Sequence, residues 1–115
     1  PEDEESKRLP FAQAATGAIG VETLLPLSLE MYHNESLPLN KIIETLTVNP
    51  SKILKINKGS LAKGSDGDIC IFDLEAPWAV QADKLKSKSK NTAIEGRKLQ
   101  GKVLMTFLNG ELVFS

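Results

Sequence analysis

The chain has 115 residues, enough for one small domain and too few for two of ordinary size. Apolar residues make up 41% and charged residues 25%, and the net charge of −1 gives no electrostatic reason to expect nucleic acid or an anionic membrane as a partner. The single cysteine excludes an internal disulfide framework and favours a reducing compartment such as the cytoplasm. No apolar run reaches the roughly 18 residues of a membrane span.

The stretch from Phe11 to Pro26 combines small residues and two glycines, Gly17 and Gly20, with a following apolar run of helical spacing. Glycines before a helix let backbone groups approach a ligand or another segment, and the first turn directs unpaired N–H groups toward that loop. Two interpretations stay open from the residues alone. The loop either binds an anion or a carbonyl group, or forms a tight connection packed against a neighbour, which the pattern alone favours.

Three helices are predicted in succession. They are expected at about 21–33, from a turn at 36–38 to near 48, and at 50–54. Pro26 lies early in the first helix, where its missing N–H costs little, and His33 closes that helix near the last carbonyl groups. Asn49 is predicted to cap the third helix, with Pro50 in its first position.

Turns and strands are predicted after residue 56. The expected strands are Ser60–Ala62, Asp68–Leu74, an edge strand Pro77–Val80, and a hairpin of 102–108 and 111–114. The length and branched residues of Asp68–Leu74 favour a strand buried on both faces, with Cys70 as a small core residue. Asn109-Gly110 predicts a type I′ hairpin turn. The lysine-rich segment 83–90 is expected to be a solvated loop or to face a partner.

Residues that carry catalytic chemistry are scarce. One histidine, His33, cannot build a zinc site, and no serine lies in a G-x-S-x-G setting. Glu22 and Thr23 lie in the first turn of the first helix, where an acid is favoured by the helix dipole and a structural role is the better interpretation. No catalytic residue and no metal ligand is therefore assigned to this chain.

Several motifs occur in a fixed order: Lys7–Phe11, Gly17–Pro26 (G-x-x-G-x-E-T-x-L-P), Asn49–Leu54 (N-P-x-x-I-L), Gly59–Asp68 (G-x-L-x-x-G), Ser87–Thr92 (S-x-S-x-N-T), and the glycines of 96–110. In this order and spacing they resemble the C-terminal quarter of a dihydroorotase of the amidohydrolase superfamily. Val21 stands where that family has leucine, and Ala93-Ile94 where it has proline and phenylalanine. The resemblance covers essentially the whole chain.

The resemblance implies an α/β fold: the C-terminal part of a TIM (β/α)8 barrel plus the C-terminal strands of a small β-sandwich. Residues 1–55 would be the last barrel loop and the closing helices, and residues 56–115 the C-terminal part of the sandwich. It also implies a substrate-binding role for the backbone of Thr16 and Gly17, which would hydrogen-bond the dihydropyrimidine ring.

The activity implied by the resemblance is the zinc-dependent, reversible interconversion of dihydroorotate and N-carbamoyl-L-aspartate in pyrimidine biosynthesis. The zinc ligands of the family lie upstream of the matched segment, so this chain alone is expected to be inactive. Pro1 resembles a proline three residues after the family's catalytic aspartate, and Glu2 stands where many members have a histidine that contacts the substrate carboxylate. The implied partners are the small-molecule substrate, the rest of the parent chain, and a second copy or a transcarbamoylase.

Three alternatives stay open at this point. The parent protein could be a non-catalytic dihydroorotase-like subunit that scaffolds a transcarbamoylase, or a related cyclic amidohydrolase such as a hydantoinase or allantoinase. The third alternative is a free-standing binding module, which requires that the 115 residues fold cooperatively by themselves.

Overall fold

The helices of the protein precede its strands. The computed structural model describes residues 5–115 and contains α1 (Leu24–His33), α2 (Leu39–Leu46), α3 (Val48–Leu54), β1 (Ile69–Ala79), β2 (Lys98–Leu108) and β3 (Glu111–Phe114). Two short 3-10 turns lie at Glu5–Lys7 and Ala82–Lys84. Across residues 5–115 no helix is long and apolar enough to cross a membrane. The sequence correspondences at Pro1 and Glu2 lie outside the described residues.

The three helices occur where they were predicted, with two shifts at their N-termini. α1 begins at Leu24, three residues later than expected, because Val21–Thr23 form a turn in which Thr23 occupies the N-cap position. The prediction that Asn49 caps α3 is wrong. Thr47 lies between α2 and α3 and occupies the N-cap position of α3, so Asn49 and Pro50 lie inside the first turn. Pro50 still costs no hydrogen bond there, because N–H groups of a first turn have no intrahelical partner.

The strands form one antiparallel sheet in the order β1-β2-β3. Asn109 (φ 52°) and Gly110 (φ 82°) join β2 to β3 with the two positive φ values of the predicted hairpin turn, which is confirmed. β1 is a single edge strand that includes Pro77–Ala79, so the two predicted strands are one. An irregularity between Asp73 and Pro77 interrupts its pairing with β2, and the Asp73 side chain accepts the N–H groups of Glu75 and Ala76 there.

Three expectations about the strand region are wrong. Residues 60–62 are not a strand. β1 is not buried on both faces, since its side chains alternate between exposed and half-buried, and Cys70 is exposed. The physical reason is the position of the only helix that packs on the sheet: α1 lies against β2, so no second layer covers the Ile69–Ile71 end of β1 within residues 5–115.

The core lies where α1 meets the sheet and the segment that follows β1. Val80, Leu85 and Leu99 are buried together, and Ile19, Leu27, Trp78 and Ile94 pack against them. Leu29 of α1 is fully buried. The Trp78 indole N–H donates to the Gly101 carbonyl across the β1–β2 pair at 2.9 Å. The core is therefore built by residues from both the helical part and the strand part of the chain.

The outline of the protein is elongated, with extents of 52 × 30 × 27 Å and a radius of gyration of 16.4 Å. A compact chain of this length has a radius of gyration of about 13 Å. Large apolar side chains on the sheet remain exposed: Ile69, Ile71, Leu104, Met105, Leu112 and Val113. The division into domains at residues 55 and 56 stays a prediction.

His33 ends α1 as predicted. Its ring lies edge-on to Tyr32 with a centroid separation of 5.3 Å, and its Nδ1 atom is 4.0 Å from the Glu75 carboxylate. Its Nε2 atom is buried and has no hydrogen-bond partner among the described residues. Across the same part of the chain, no group of three or more His, Cys, Asp or Glu residues could hold a metal ion.

Candidate functional site

The segment that precedes α1 and contains Gly17 and Gly20, the glycine loop, is the candidate site. Thr16 and Gly17 lie in irregular backbone, and both are exposed. Gly17 has φ 102°, a conformation that L side chains rarely adopt, so glycine is required for this path of the chain. No hydrogen bond within residues 5–115 uses the backbone groups of Thr16 or the N–H of Gly17. These groups are therefore open to a small polar ligand.

Asn91, from the S-x-S-x-N-T motif, holds Gly17 and Ile19 through hydrogen bonds. Its side-chain Nδ2 donates to the Gly17 carbonyl at 2.7 Å, and its own carbonyl accepts the N–H of Ile19 at 2.9 Å. The orientation of the Asn91 amide is an assignment from this hydrogen-bond geometry. The Gly17 carbonyl is thus already engaged, whereas the donor and acceptor of the Thr16–Gly17 peptide are not.

Glu22 joins the same two segments at a second place. Its two carboxylate oxygens accept the backbone N–H groups of Lys86 and Ser87 at 3.1 and 3.2 Å. Beside it, Thr23 is only 3% exposed, and its hydroxyl donates to the Gly20 carbonyl at 3.2 Å. Thr23 thereby fixes the turn that leads from the loop into α1.

Two concave regions adjoin the loop. A cavity of about 180 Å³ lies between residues 18–23 and the side chains of Leu85 and Ser87. A larger groove of about 740 Å³ lies on the other side of Glu22, with an apolar lining that includes Val21, Leu25, Pro26, Trp78, Val103 and Phe114. Residues Val21 and Glu22 therefore lie between a small cavity and a larger, mainly apolar groove.

This arrangement can bind and orient a polar ring, but it offers little proton-transfer chemistry of its own. The carboxylate of Glu22 is engaged by two N–H donors, and His33 lies at the opposite end of α1 from the loop. Substrate binding by Thr16 and Gly17 stays a prediction.

Sequence reasoning did not identify Asn91 and Glu22 as the residues that hold the loop. Glu22 was assigned to the helix dipole, whereas its carboxylate reaches a segment 64 and 65 residues away in sequence. The available signal was the co-occurrence of two motifs, Gly17–Pro26 and Ser87–Thr92, in one chain. Nothing in their spacing predicted that they touch.

Comparison with known proteins decides the family. The sequence profile described as "Amidohydrolase family" matches residues 11–113, most of the chain. The chain belongs to the amidohydrolase family. Among curated relatives, the dihydroorotase of Anaplasma phagocytophilum (strain HZ) is 44% identical over 114 residues, and that of Ehrlichia chaffeensis (strain ATCC CRL-10679 / Arkansas) is 43% identical over 114 residues. Both matches cover 99% of the chain, so the resemblance to dihydroorotases is confirmed.

Solved amidohydrolase-like structures share its fold. A D-hydantoinase matches with a TM-score of 0.87 and 26% identity over 96% of the chain. An L-hydantoinase (dihydropyrimidinase) from Arthrobacter aurescens matches with a TM-score of 0.81 and 33% identity over 90% of the chain. The chain spans 26% of the length of the two dihydroorotases, and 25% and 24% of the two hydantoinase chains. As a member of the amidohydrolase family, it corresponds to about a quarter of such a protein.

Proposed function

We propose that this amidohydrolase chain is the C-terminal quarter of a zinc-dependent dihydroorotase that interconverts dihydroorotate and N-carbamoyl-L-aspartate. The observation that carries the proposal is the Thr16–Gly17 peptide, whose backbone groups stay open in a loop held from behind by Asn91. The high identity to dihydroorotases over nearly the whole chain supports the choice of substrate. The work of this chain is to bind and orient the ring.

The metal belongs to the part of the protein outside this chain. The described residues offer no group of three or more potential ligands, so they do not fit a zinc site. In the intact enzyme, zinc would supply the polarisation of the ring carbonyl and the activation of water. This chain would contribute the exposed Thr16–Gly17 peptide and the exclusion of water by the apolar residues beside it.

We propose an architecture in which the chain contributes to two domains of the intact protein. Residues 1–55 would form the last loop and closing helices of a TIM barrel, and residues 56–115 the C-terminal strands of a β-sandwich. In such a barrel, loops at the C-terminal ends of the strands build the active site. The exposed apolar sheet and the elongated outline support a chain that completes its core with other parts of its protein. We also propose a cytoplasmic location and, as further partners, a second copy or a transcarbamoylase.

The test uses the intact parent protein. We expect it to hydrolyse dihydroorotate with a kcat/KM well above that for hydantoin or allantoin, and to lose this activity after metal chelation and regain it with zinc. Turnover of hydantoin in preference to dihydroorotate would support the second candidate, a hydantoinase, which the similarity to two solved hydantoinases favours. An intact protein that hydrolyses none of the three rings would overturn the proposal in favour of a scaffold subunit.

A further inference from the structure

Two segments that are distant in sequence meet at the candidate site. Four hydrogen bonds join residues 17–22 to residues 86–91: Asn91 Nδ2 to the Gly17 carbonyl, the Ile19 N–H to the Asn91 carbonyl, and the N–H groups of Lys86 and Ser87 to Glu22. The two hydrogen bonds of Asn91 hold Gly17 and Ile19, and the two hydrogen bonds of Glu22 lie just before α1. The loop is thus held at both of its ends by the same segment.

We propose that Asn91 and Glu22 are positioning residues that form one clamp and fix the Thr16–Gly17 peptide for the substrate ring. The inference rests on the proposed function, because that function makes the Thr16–Gly17 peptide the ring-binding element. Neither residue touches the ring or the reacting atoms. Each acts through the backbone of the loop.

The geometry explains why a clamp is needed. Gly17 has no side chain to limit its backbone torsions, and a loop that contains it has many conformations available when nothing holds it. The Asn91 side chain fixes the peptide plane that follows Gly17, and the Asn91 carbonyl fixes the next plane through the Ile19 N–H. The preceding peptide, between Thr16 and Gly17, keeps its donor and acceptor groups open. Their direction is set before a ligand arrives, which lowers the entropy lost on binding.

The residue types suit these roles. An asparagine can donate to a carbonyl with its side chain while its own backbone accepts an N–H, whereas an aspartate of the same shape has no donor at neutral pH. A glutamate presents two oxygens, which here accept the N–H groups of two consecutive residues. Because both partners of Glu22 are backbone groups, this contact depends on the backbone path of the lysine-rich segment and not on its side chains.

The first experiment replaces Asn91 in the intact parent protein. Asn91→Asp keeps the shape and places a carboxylate against the Gly17 carbonyl. We expect the KM for dihydroorotate to rise about tenfold while kcat stays within about threefold, because the ring contacts form in both the ground state and the transition state. A purely structural role would instead reduce the amount of active enzyme, which lowers apparent kcat at constant KM.

The matched control is Asn34→Ala. Asn34 lies at the opposite end of α1, and its side chain also makes one exposed hydrogen bond to backbone, accepting the Ser36 N–H at 3.1 Å. The Asn34→Ala substitution removes a comparable contact far from the loop, so KM and kcat should stay at their wild-type values. An equal rise of KM in Asn34→Ala would show a general effect of destabilisation and would overturn the clamp.

The second experiment tests whether the two residues act as one unit. We expect Glu22→Ala to raise KM about fivefold and Glu22→Gln, which keeps one acceptor oxygen, to raise it less. In the double variant Asn91→Asp/Glu22→Ala, KM should rise clearly less than the product of the single effects, because either change already releases the loop. Effects that multiply would show two independent contacts, and the single clamp would be wrong.

Hydrogen exchange separates failure of the clamp from failure of the proposed function. In both Asn91→Asp and Glu22→Ala, the Ile19 amide, which donates to the Asn91 carbonyl, should exchange faster than in wild type, and in Asn34→Ala it should not. If the wild-type protein does not hydrolyse dihydroorotate, the proposed function fails while the exchange data still decide the clamp. Unchanged exchange of this loop in both variants would overturn the clamp whatever the substrate is.

Discussion

At the scale of single residues, charge and hydrogen bonding tie the turn region before β1 to the hairpin. The Lys58 ammonium group contacts Asp66 at 2.7 Å and Asp68 at 2.5 Å, and the other Asp68 oxygen accepts the N–H of Asn109 at 2.8 Å. The Asn109 N–H and, after it, Lys58 hold the pKa of Asp68 below its ordinary value of 3.8. The hydrogen bonds that Lys58 donates to Asp66 and then to Asp68 raise the pKa of Lys58 above 10.5.

These shifts predict a pH dependence of stability. Because the pKa of Asp68 is lower in the folded state than in the unfolded state, its contribution is fully present above about pH 4 and is lost as the pH falls through the folded value. The contribution of Lys58 is present below its ordinary pKa and is lost as the pH rises through its raised value. Between these two pH limits, the contribution of Asp68 and Lys58 to stability should therefore change little with pH.

Asp68→Asn should reduce the decline in stability of the protein below about pH 4. The measurement is the urea midpoint of unfolding across an acid series for wild type and variant. Asp83→Asn, an exposed aspartate in the 3-10 turn at 82–84, serves as the control and should leave the decline unchanged. An Asp68→Asn variant that declines as steeply as wild type would contradict the role of this carboxylate.

At the scale of elements, the packing of α1 on the sheet depends on one glycine of β2. Gly101 has φ 99°, and a Cβ built on it would lie 2.5 Å from the Cδ1 atom of Leu29. Leu29 is fully buried, so it cannot move away without opening the core. The ion pair of Arg97, the residue before β2, with Glu30 of α1 lies at 2.8 Å, but both side chains are partly exposed and such pairs contribute only about 0–1 kcal/mol. Close packing rather than charge therefore holds α1 in place.

Gly101→Ala should lower the free energy of unfolding by about 2–5 kcal/mol, combining the cost of a positive φ with the overpacking against Leu29. Gly64→Ala is the matched control, because Gly64 has φ 90° and open space around its Cα. It should cost only about 1–2 kcal/mol. Chemical unfolding of both variants measures the difference, and equal losses would show that the contact with Leu29 contributes nothing.

At the scale of the whole molecule, the chain exposes more apolar surface than a self-sufficient domain would. Phe11 is fully exposed, Val21 is 94% exposed, and the apolar groove beside Glu22 has a volume of about 740 Å³. Contiguous exposed apolar surface of this kind marks an interaction site or a liability for aggregation. It agrees with the observation that the chain spans about a quarter of its relatives.

The isolated 115-residue chain should therefore bind a hydrophobic dye such as ANS, self-associate in size-exclusion chromatography, and show no hydrolysis of dihydroorotate. The intact parent protein, in which we expect the groove and the sheet to be covered, serves as the control and should bind little dye. A monomeric, cooperatively unfolding chain would support the free-standing binding module instead. Detectable hydrolysis by the isolated chain would show that the catalytic groups lie within this chain and not elsewhere in the parent protein.

Local patterns in the sequence were sufficient for the elements whose cause is local. The three helices follow from apolar spacing and the position of Pro26, and the hairpin follows from Asn109-Gly110, because periodicity and turn chemistry act over a few residues. The motif order likewise predicted the similarity to dihydroorotases, and it drew attention to Thr16 and Gly17 as the candidate site. These features need no knowledge of which distant segments touch.

The tertiary structure alone decided the contacts between distant segments. The exposure of Cys70, the continuity of β1 through Pro77, and the closeness of Gly101 to Leu29 depend on where α1 packs, which no local pattern encodes. The hold of Asn91 and Glu22 on the loop spans 64 to 74 residues of sequence. The sequence by itself thus determined the helices, the hairpin and the family, whereas folding determined which side chains reach the loop, because hydrogen bonds and packing depend on spatial neighbours.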